Sequence, residues 1–173
     1  WSYRLKQEGY YCSNAGKVHH RFKPLPADIH NVLYSHPPEP LTIGPGKNAQ
    51  TKNFGGLMKG LGTTDTKFDA KYYDAQSAAS ATDFLQSYDR DAPFYREVGF
   101  YHPHSPYKTP VRFKEMYDED AFEQPPEWQA PHDRNAFADL FMQENLDGSN
   151  TSLWRKSLRN YFSAFSHVDE HIG

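Results

Sequence analysis

The sequence predicts an α/β fold built on a parallel sheet, and three observations carry that expectation. A helical rhythm over residues 69–89 runs directly into a strand-like segment from Phe94 to Tyr101. A helix that feeds a strand is half of a βαβ crossover, and such crossovers join parallel strands with a right-handed connection. A second short strand, Tyr10 to Ala15, follows the turns of an N-terminal helix. Lastly, Trp154, Leu158, Tyr161, Phe165, Val168 and Ile172 recur at spacings of four, three, four, three and four. That stripe is read as the core-facing side of a closing helix.

Taken in order, residues Trp1 to Glu8 read as the last turns of a helix, with Gly9 suited to the position just past its end. The strand Tyr10 to Ala15 is broken by Gly16, which delivers Lys17-Val18-His19-His20 into a loop. Residues 21–68 read as one long Pro- and Gly-rich loop, from Pro24 and Pro26 through Gly60 and Gly62. Loops of that length, when ordered, often cover a functional site. Asp69 is placed to cap the next helix, whose apolar positions are Ala78, Ala81, Leu85 and Tyr88, and Asp91-Ala92-Pro93 ends it. After the strand, Pro110 to Tyr117 reads as a short helix entered by proline, and residues 119–132 as irregular. Asp133 is read as the cap of a helix bearing Phe137, Leu140, Phe141 and Glu144, and Asp147 to Asn150 as a turn. Trp1 opening inside a helix and Gly173 closing directly after one read as the ends of a piece cut from something longer.

Composition narrows the function classes. With 173 residues the chain has room for one domain and one core. Aromatic residues make up 16%, far from the aromatic-poor composition of disordered chains. The net charge is -3 with no basic run, which argues against nucleic acid as a partner, because duplex binding needs many cationic phosphate contacts. No apolar stretch approaches the ~20 residues of a membrane span, and localisation is not legible. The single cysteine, Cys12, excludes an internal disulfide and a multi-thiolate metal site. No Gly-x-Ser-x-Gly elbow is present, and Gly44-Pro45-Gly46-Lys47 lacks the spacing of a phosphate-cradling loop.

Two clusters follow predicted strands, where open α/β sheets bind ligands: Gly16-Lys17-Val18-His19-His20 and His102-Pro103-His104-Ser105-Pro106-Tyr107-Lys108. A lysine and histidines converging from two loops suit a compact polyanion such as sulfate or phosphate. Each has a plainer reading. Lys-x-His is a common tripeptide, and His102 and His104 form a pair whose separation by Pro103 disfavours shared metal binding. His30, His36 and His132 read as residues of polar loops. His167 and His171 lie four apart on the closing helix but lack the His-Glu-x-x-His pattern, which favours surface or packing roles. Asp118, Glu119, Asp120 and Glu123 read as a solvated acidic loop.

The order of these elements resembles the type I sulfatases of the alkaline-phosphatase-like superfamily, nearest the iduronate-2-sulfatase branch. Leu5-Lys6-Gln7-Glu8-Gly9-Tyr10 leading to Gly16-Lys17-Val18-His19-His20 is similar to that family's L-K-x-x-G-Y and G-K-x-H. Pro93-Phe94 through Val98-Gly99-Phe100 to Pro103-His104-Ser105-Pro106-Tyr107 resembles its P-F-F-L-x-V-G-F-x-x-P-H-x-P-F. Tyr161 through Asp169 to Ile172-Gly173 is similar to its Y-x-A … D-x-x-I-G helix, in which Asp169 and Gly173 are structural. The resemblance implies an alkaline-phosphatase-like sandwich, with a mostly parallel sheet and flanking helices, of which residues 1–173 are a middle segment lacking N- and C-terminal parts. It implies a sulfuric ester hydrolase acting on a sulfated small molecule or sugar. Lys17 carries over as a sulfate-binding residue. His104 carries over as a second sulfate contact that protonates the leaving oxygen. The histidine contacting the catalytic aldehyde falls on His19 by the usual spacing and on His20 in the iduronate branch.

The same resemblance implies calcium and a formylglycine nucleophile for the parent protein, with none of the metal ligands in this chain. Cys12 is followed by Ser13-Asn14-Ala15-Gly16 rather than x-Pro-Ser-Arg, so it is not the formylglycine precursor. The chain alone is therefore expected to be inactive, and its missing sheet neighbours lead to an expectation of self-association. Two other functions fit the same residues: a phosphodiesterase or phosphonate hydrolase of the same superfamily, and a non-catalytic binding domain that keeps the fold.

Overall fold

A computed structural model of the chain describes residues 1–20, 25–39, 41, 62–124, 126 and 151–173. The predicted helix around Phe137 to Glu144, its cap Asp133, the turn at Asp147 to Asn150, and His132 lie outside these residues.

Helix α1 (Ser2–Gln7) stops where Gly9 takes a φ of 90°, and strand β1 (Tyr11–Gly16) follows. Helix α2 is Ala27–Leu33 and helix α3 is Tyr73–Ser87; strand β2 is Phe94–Gly99. Helix α4 (Val111–Glu115) is entered through Pro110, and helix α5 (Thr151–Ile172) closes the chain. The two strands pair in parallel, from Tyr11 opposite Phe94 to Gly16 opposite Gly99, so the fold is α/β with a parallel pair at its centre. The free edge of β1 is covered by residues 34–36. The Ser35 N–H donates to the Cys12 carbonyl at 2.7 Å, and the Asn14 N–H donates to His36 Nε2 at 2.8 Å. These bonds occupy ladder positions that an exposed edge would offer to other chains.

Helix α3 packs across both strands and against α5, which also packs on α4. At one end, Phe84 stacks on Tyr11 with centroids 6.2 Å apart and meets Phe94 edge-on at 5.1 Å, while Arg96 lies over Phe84. At the other end the Asp74 carboxylate accepts the Tyr101 N–H at 2.5 Å and the His102 N–H at 3.3 Å. Tyr34, Tyr72, Tyr73, Tyr101, Tyr107, Phe113 and Trp154 are buried, so rings rather than aliphatic side chains dominate the core. Full burial of a large apolar side chain contributes roughly 1.5–3 kcal/mol.

Several expectations are corrected. The 21–68 segment contains α2, whose Ile29 and Val32 point to solvent while His30 is buried, so no apolar stripe marks it. His30 is thus a helical core residue whose imidazole is held below its usual range by burial. Asp69 caps nothing: Asp65 caps a 3-10 helix, Thr66–Lys71, by accepting the Lys67 N–H, and Asp69 pairs with Arg112 at 2.8 Å. On α3 the buried positions are Tyr73, Asp74 and Ser77, whereas Leu85 is exposed. On α5 the buried positions are Trp154, Asn160, Ser163, Ala164 and His167, whereas Tyr161, Phe165 and Ile172 are exposed. Beside Tyr73 and Trp154, both helices bury mainly small or polar side chains, and three of the six stripe residues of α5 are exposed.

Candidate active site

The parallel register brings both candidate loops to the same sheet edge, and glycine makes the approach close enough. The Lys17 N–H donates to the Gly99 carbonyl at 2.8 Å. A Cβ on Gly99 would lie 2.3 Å from the Lys17 carbonyl carbon, and one on Gly16 would lie 2.0 Å from the Gly99 oxygen. Gly16 also has a φ of 76°, a left-handed conformation that other residues adopt only at a cost. The Gly-Lys and Gly-Phe pairs are therefore explained by backbone packing, independently of any ligand.

Beyond these glycines the side chains gather on Tyr101. Lys17 Nζ lies 5.6 Å from the centroid of the Tyr101 ring, and the His104 imidazole packs on the same ring at 5.2 Å. Tyr101 is buried; burial, with Asp74 nearby, pushes its phenol well above the usual tyrosine range. Its hydroxyl donates to the Ser105 carbonyl, which also accepts from His104 Nδ1 at 2.5 Å. His104 is exposed, and with Nδ1 engaged its Nε2 is the nitrogen left to give or take a proton. The structure therefore places a lysine ammonium and an imidazole against one aromatic ring at the carboxyl ends of parallel strands, where open α/β sheets bind ligands.

His19 and His20 differ in environment. His19 is half-buried, with Nε2 3.0 Å from the Tyr34 hydroxyl, and His20 is exposed. The Tyr34 hydroxyl donates to half-buried Glu97 on β2, which also accepts from Tyr95 at 3.0 Å, so His19 donates to the hydroxyl of the buried Tyr34. Burial and the Glu97 contact push the Tyr34 hydroxyl well up from its ordinary value. The structure thus brings Lys17 and His104 onto one ring, while the His19 side chain is committed to Tyr34. Tyr101, Tyr34 and Glu97 were not singled out in the sequence. Tyr101 carries the one available signal, an aromatic residue directly between a strand end and a histidine loop.

No protein-family model matches the chain. Among curated proteins it is 26% identical to the choline-sulfatase of Rhizobium meliloti (strain 1021), across 100% of this chain and 37% of that protein. It is 24% identical to the iduronate 2-sulfatases of Mus musculus and Homo sapiens, across 98% of this chain and 34% of each. The chain spans about a third of the length of these relatives. At low identity but over its full length, it is related to the sulfatases.

Proposed function

We propose that this chain is a segment of a sulfate-ester hydrolase and that Lys17 and His104 hold the sulfate group of the substrate. The reading is carried by one observation: Lys17 and His104 pack on the same Tyr101 ring at the shared edge of two parallel strands. Lys17 supplies a point charge toward the anionic sulfonyl oxygens. His104 Nε2 delivers a proton to the ester oxygen as the bond to sulfur breaks and negative charge develops there. His19, its ring fixed through Tyr34, and exposed His20 are the candidates for the histidine facing the nucleophile. The substrate is a sulfated small molecule or sugar.

Calcium and formylglycine belong, in this proposal, to the longer protein, because the described residues do not fit them. Calcium takes six to eight oxygen ligands. The described residues group one carboxylate with two imidazoles, at Asp74, His102 and His167. Cys12 lies buried in β1 with Sγ 3.3 Å from the Ser2 carbonyl, where no substrate reaches it. The chain alone therefore binds the anion without turning it over. The exposed rings of α5 belong against the remainder of the longer polypeptide.

Titration with sodium sulfate against sodium chloride of equal ionic strength, followed by the His104 imidazole resonances, tests this. Saturable shifts that Lys17→Ala abolishes are expected. Chloride and sulfate giving the same response would remove the sulfate assignment.

A further inference from the structure

We propose that Asp74, His102 and His167 form a buried site for a divalent transition-metal ion, with zinc best suited to it. The inference does not depend on the sulfate reading.

The three side chains arrive from three places: the first turn of α3, the loop after β2, and the last two turns of α5. They are 0%, 6% and 1% exposed, and one ligand atom from each lies within 4.8 Å of the others. His102 Nδ1 hydrogen-bonds to Asp74 Oδ2. His167 Nδ1 lies 4.0 Å from the same oxygen, too far for a hydrogen bond. A tetrahedral ion bonded to each at ~2.0–2.1 Å holds two such atoms roughly 3.3 Å apart, so this gap must close by about 0.7 Å on binding. His167 Nδ1, the atom that faces Asp74, is buried without a hydrogen-bond partner among the described residues. Native interiors seldom leave such nitrogens orphaned.

The outer partner of His167 matches what metal sites provide. His167 Nε2 lies 3.2 Å from His171 Nε2, one turn further along α5. When His167 donates to His171 there, its bare Nδ1 faces the Asp74 carboxylate, and two acceptors facing each other call for a cation between them. Imidazole ligands characteristically donate their other ring N–H to an outer acceptor, commonly a carboxylate, carbonyl or water, which fixes the tautomer; here the acceptor is the His171 nitrogen. Two nitrogens and one carboxylate suit zinc and its neighbours rather than calcium or magnesium. Coordination requires the Asp74–His102 contact to open to roughly 3.3 Å, the edge of a tetrahedron with such bonds. A bound ion would tie α3 and α5 to the loop that carries His104, two residues beyond His102.

The metal-free 173-residue chain titrated with Zn2+, and with Co2+ as a spectroscopic stand-in, decides the matter. One equivalent of tight binding is expected, with a cobalt d–d band of low coordination number and a raised melting temperature. His167→Phe, which keeps a ring among Tyr72, Phe113 and His102, should weaken zinc more than ~100-fold, beyond the loss typical of an outer partner. His36→Ala, in the separate histidine group around His30, should leave affinity unchanged. Binding that persists in His167→Phe, or is lost in His36→Ala, overturns the site. X-ray absorption of the zinc-loaded unmutated chain needs no variant: two imidazole ligands support the site. Fewer than two, or no stoichiometric binding, overturns it in favour of a hydrogen-bonded cluster alone.

Discussion

Replacing Gly99 with alanine probes the strand register and the proposed anion site together. The added Cβ would meet the Lys17 carbonyl carbon at 2.3 Å, its oxygen at 2.4 Å and the Val18 nitrogen at 2.6 Å. All three are backbone atoms, so no side-chain rotation relieves the overlap. The strand ends must separate by about 1 Å to restore ordinary contact, which strains the Lys17 N–H to Gly99 bond. Overpacking of this kind costs about 2–3 kcal/mol. With a urea dependence of ~1–3 kcal/mol per molar, the unfolding midpoint falls by roughly 0.7–3 M. Because the clash is with backbone, the same loss should appear in a Lys17→Ala background. Displacement of Lys17 from Tyr101 should also weaken sulfate binding in Gly99→Ala protein that remains folded. A midpoint within about 0.3 M of the unmutated chain would mean that β1 and β2 do not meet in this register.

Other outcomes follow from single sites. Tyr34→Phe removes the hydroxyl that His19 and Glu97 share in a buried setting, so it should destabilise by about 1–3 kcal/mol in urea unfolding; a loss under 0.5 kcal/mol would show that the pair is solvated. Burial, with Arg159 nearby, holds the Lys114 ammonium down to about 8, below its ordinary 10.5. The unfolded chain therefore binds the proton more strongly between those values. Stability contributed by this group should rise with pH there, at up to about 1.4 kcal/mol per unit. The difference between the unmutated chain and Lys114→Met, measured from pH 7 to 10.5, should show that rise; a flat difference would contradict it. Tyr161, Phe162, Phe165 and Ile172 are exposed along α5. Sedimentation should therefore find the isolated chain self-associating and Phe165→Asp shifting it toward monomer, whereas a monomer at all concentrations would count against that face being adhesive.

The backbone was far more legible than the helix faces. Gly9, Gly16 and Pro93 punctuate the chain where α1 ends, where β1 ends and just before β2 begins, and turn chemistry of this kind is local. The parallel pairing followed from one helix feeding one strand. The placement of both loops at one end of the sheet was legible, because Lys17 directly follows β1 and His104 lies in the loop after β2, although only tertiary packing reveals that Tyr101 joins them. Periodicity misread α3 and α5, because it assumes that the apolar stripe faces inward. Here Ser77 lies beneath the Gly16 turn, and Asn160, Ser163 and Ala164 line the inner side of α5. Helix α2 was hidden for the converse reason, since its apolar Ile29 and Val32 face solvent. The Asp74–His102–His167 cluster has no local signature, because its members lie far apart in the chain and meet only through the packing of α3 and α5.

The proposed anion site is tested most directly by crystals of the chain soaked in selenate, a tetrahedral stand-in for sulfate whose selenium is located by anomalous scattering. The expected result is one selenate at the carboxyl ends of β1 and β2, with oxygens ~3 Å from both Lys17 Nζ and His104 Nε2, absent in Lys17→Ala crystals. Selenate bound only elsewhere, with Lys17 and His104 in contact with no anion, would contradict it.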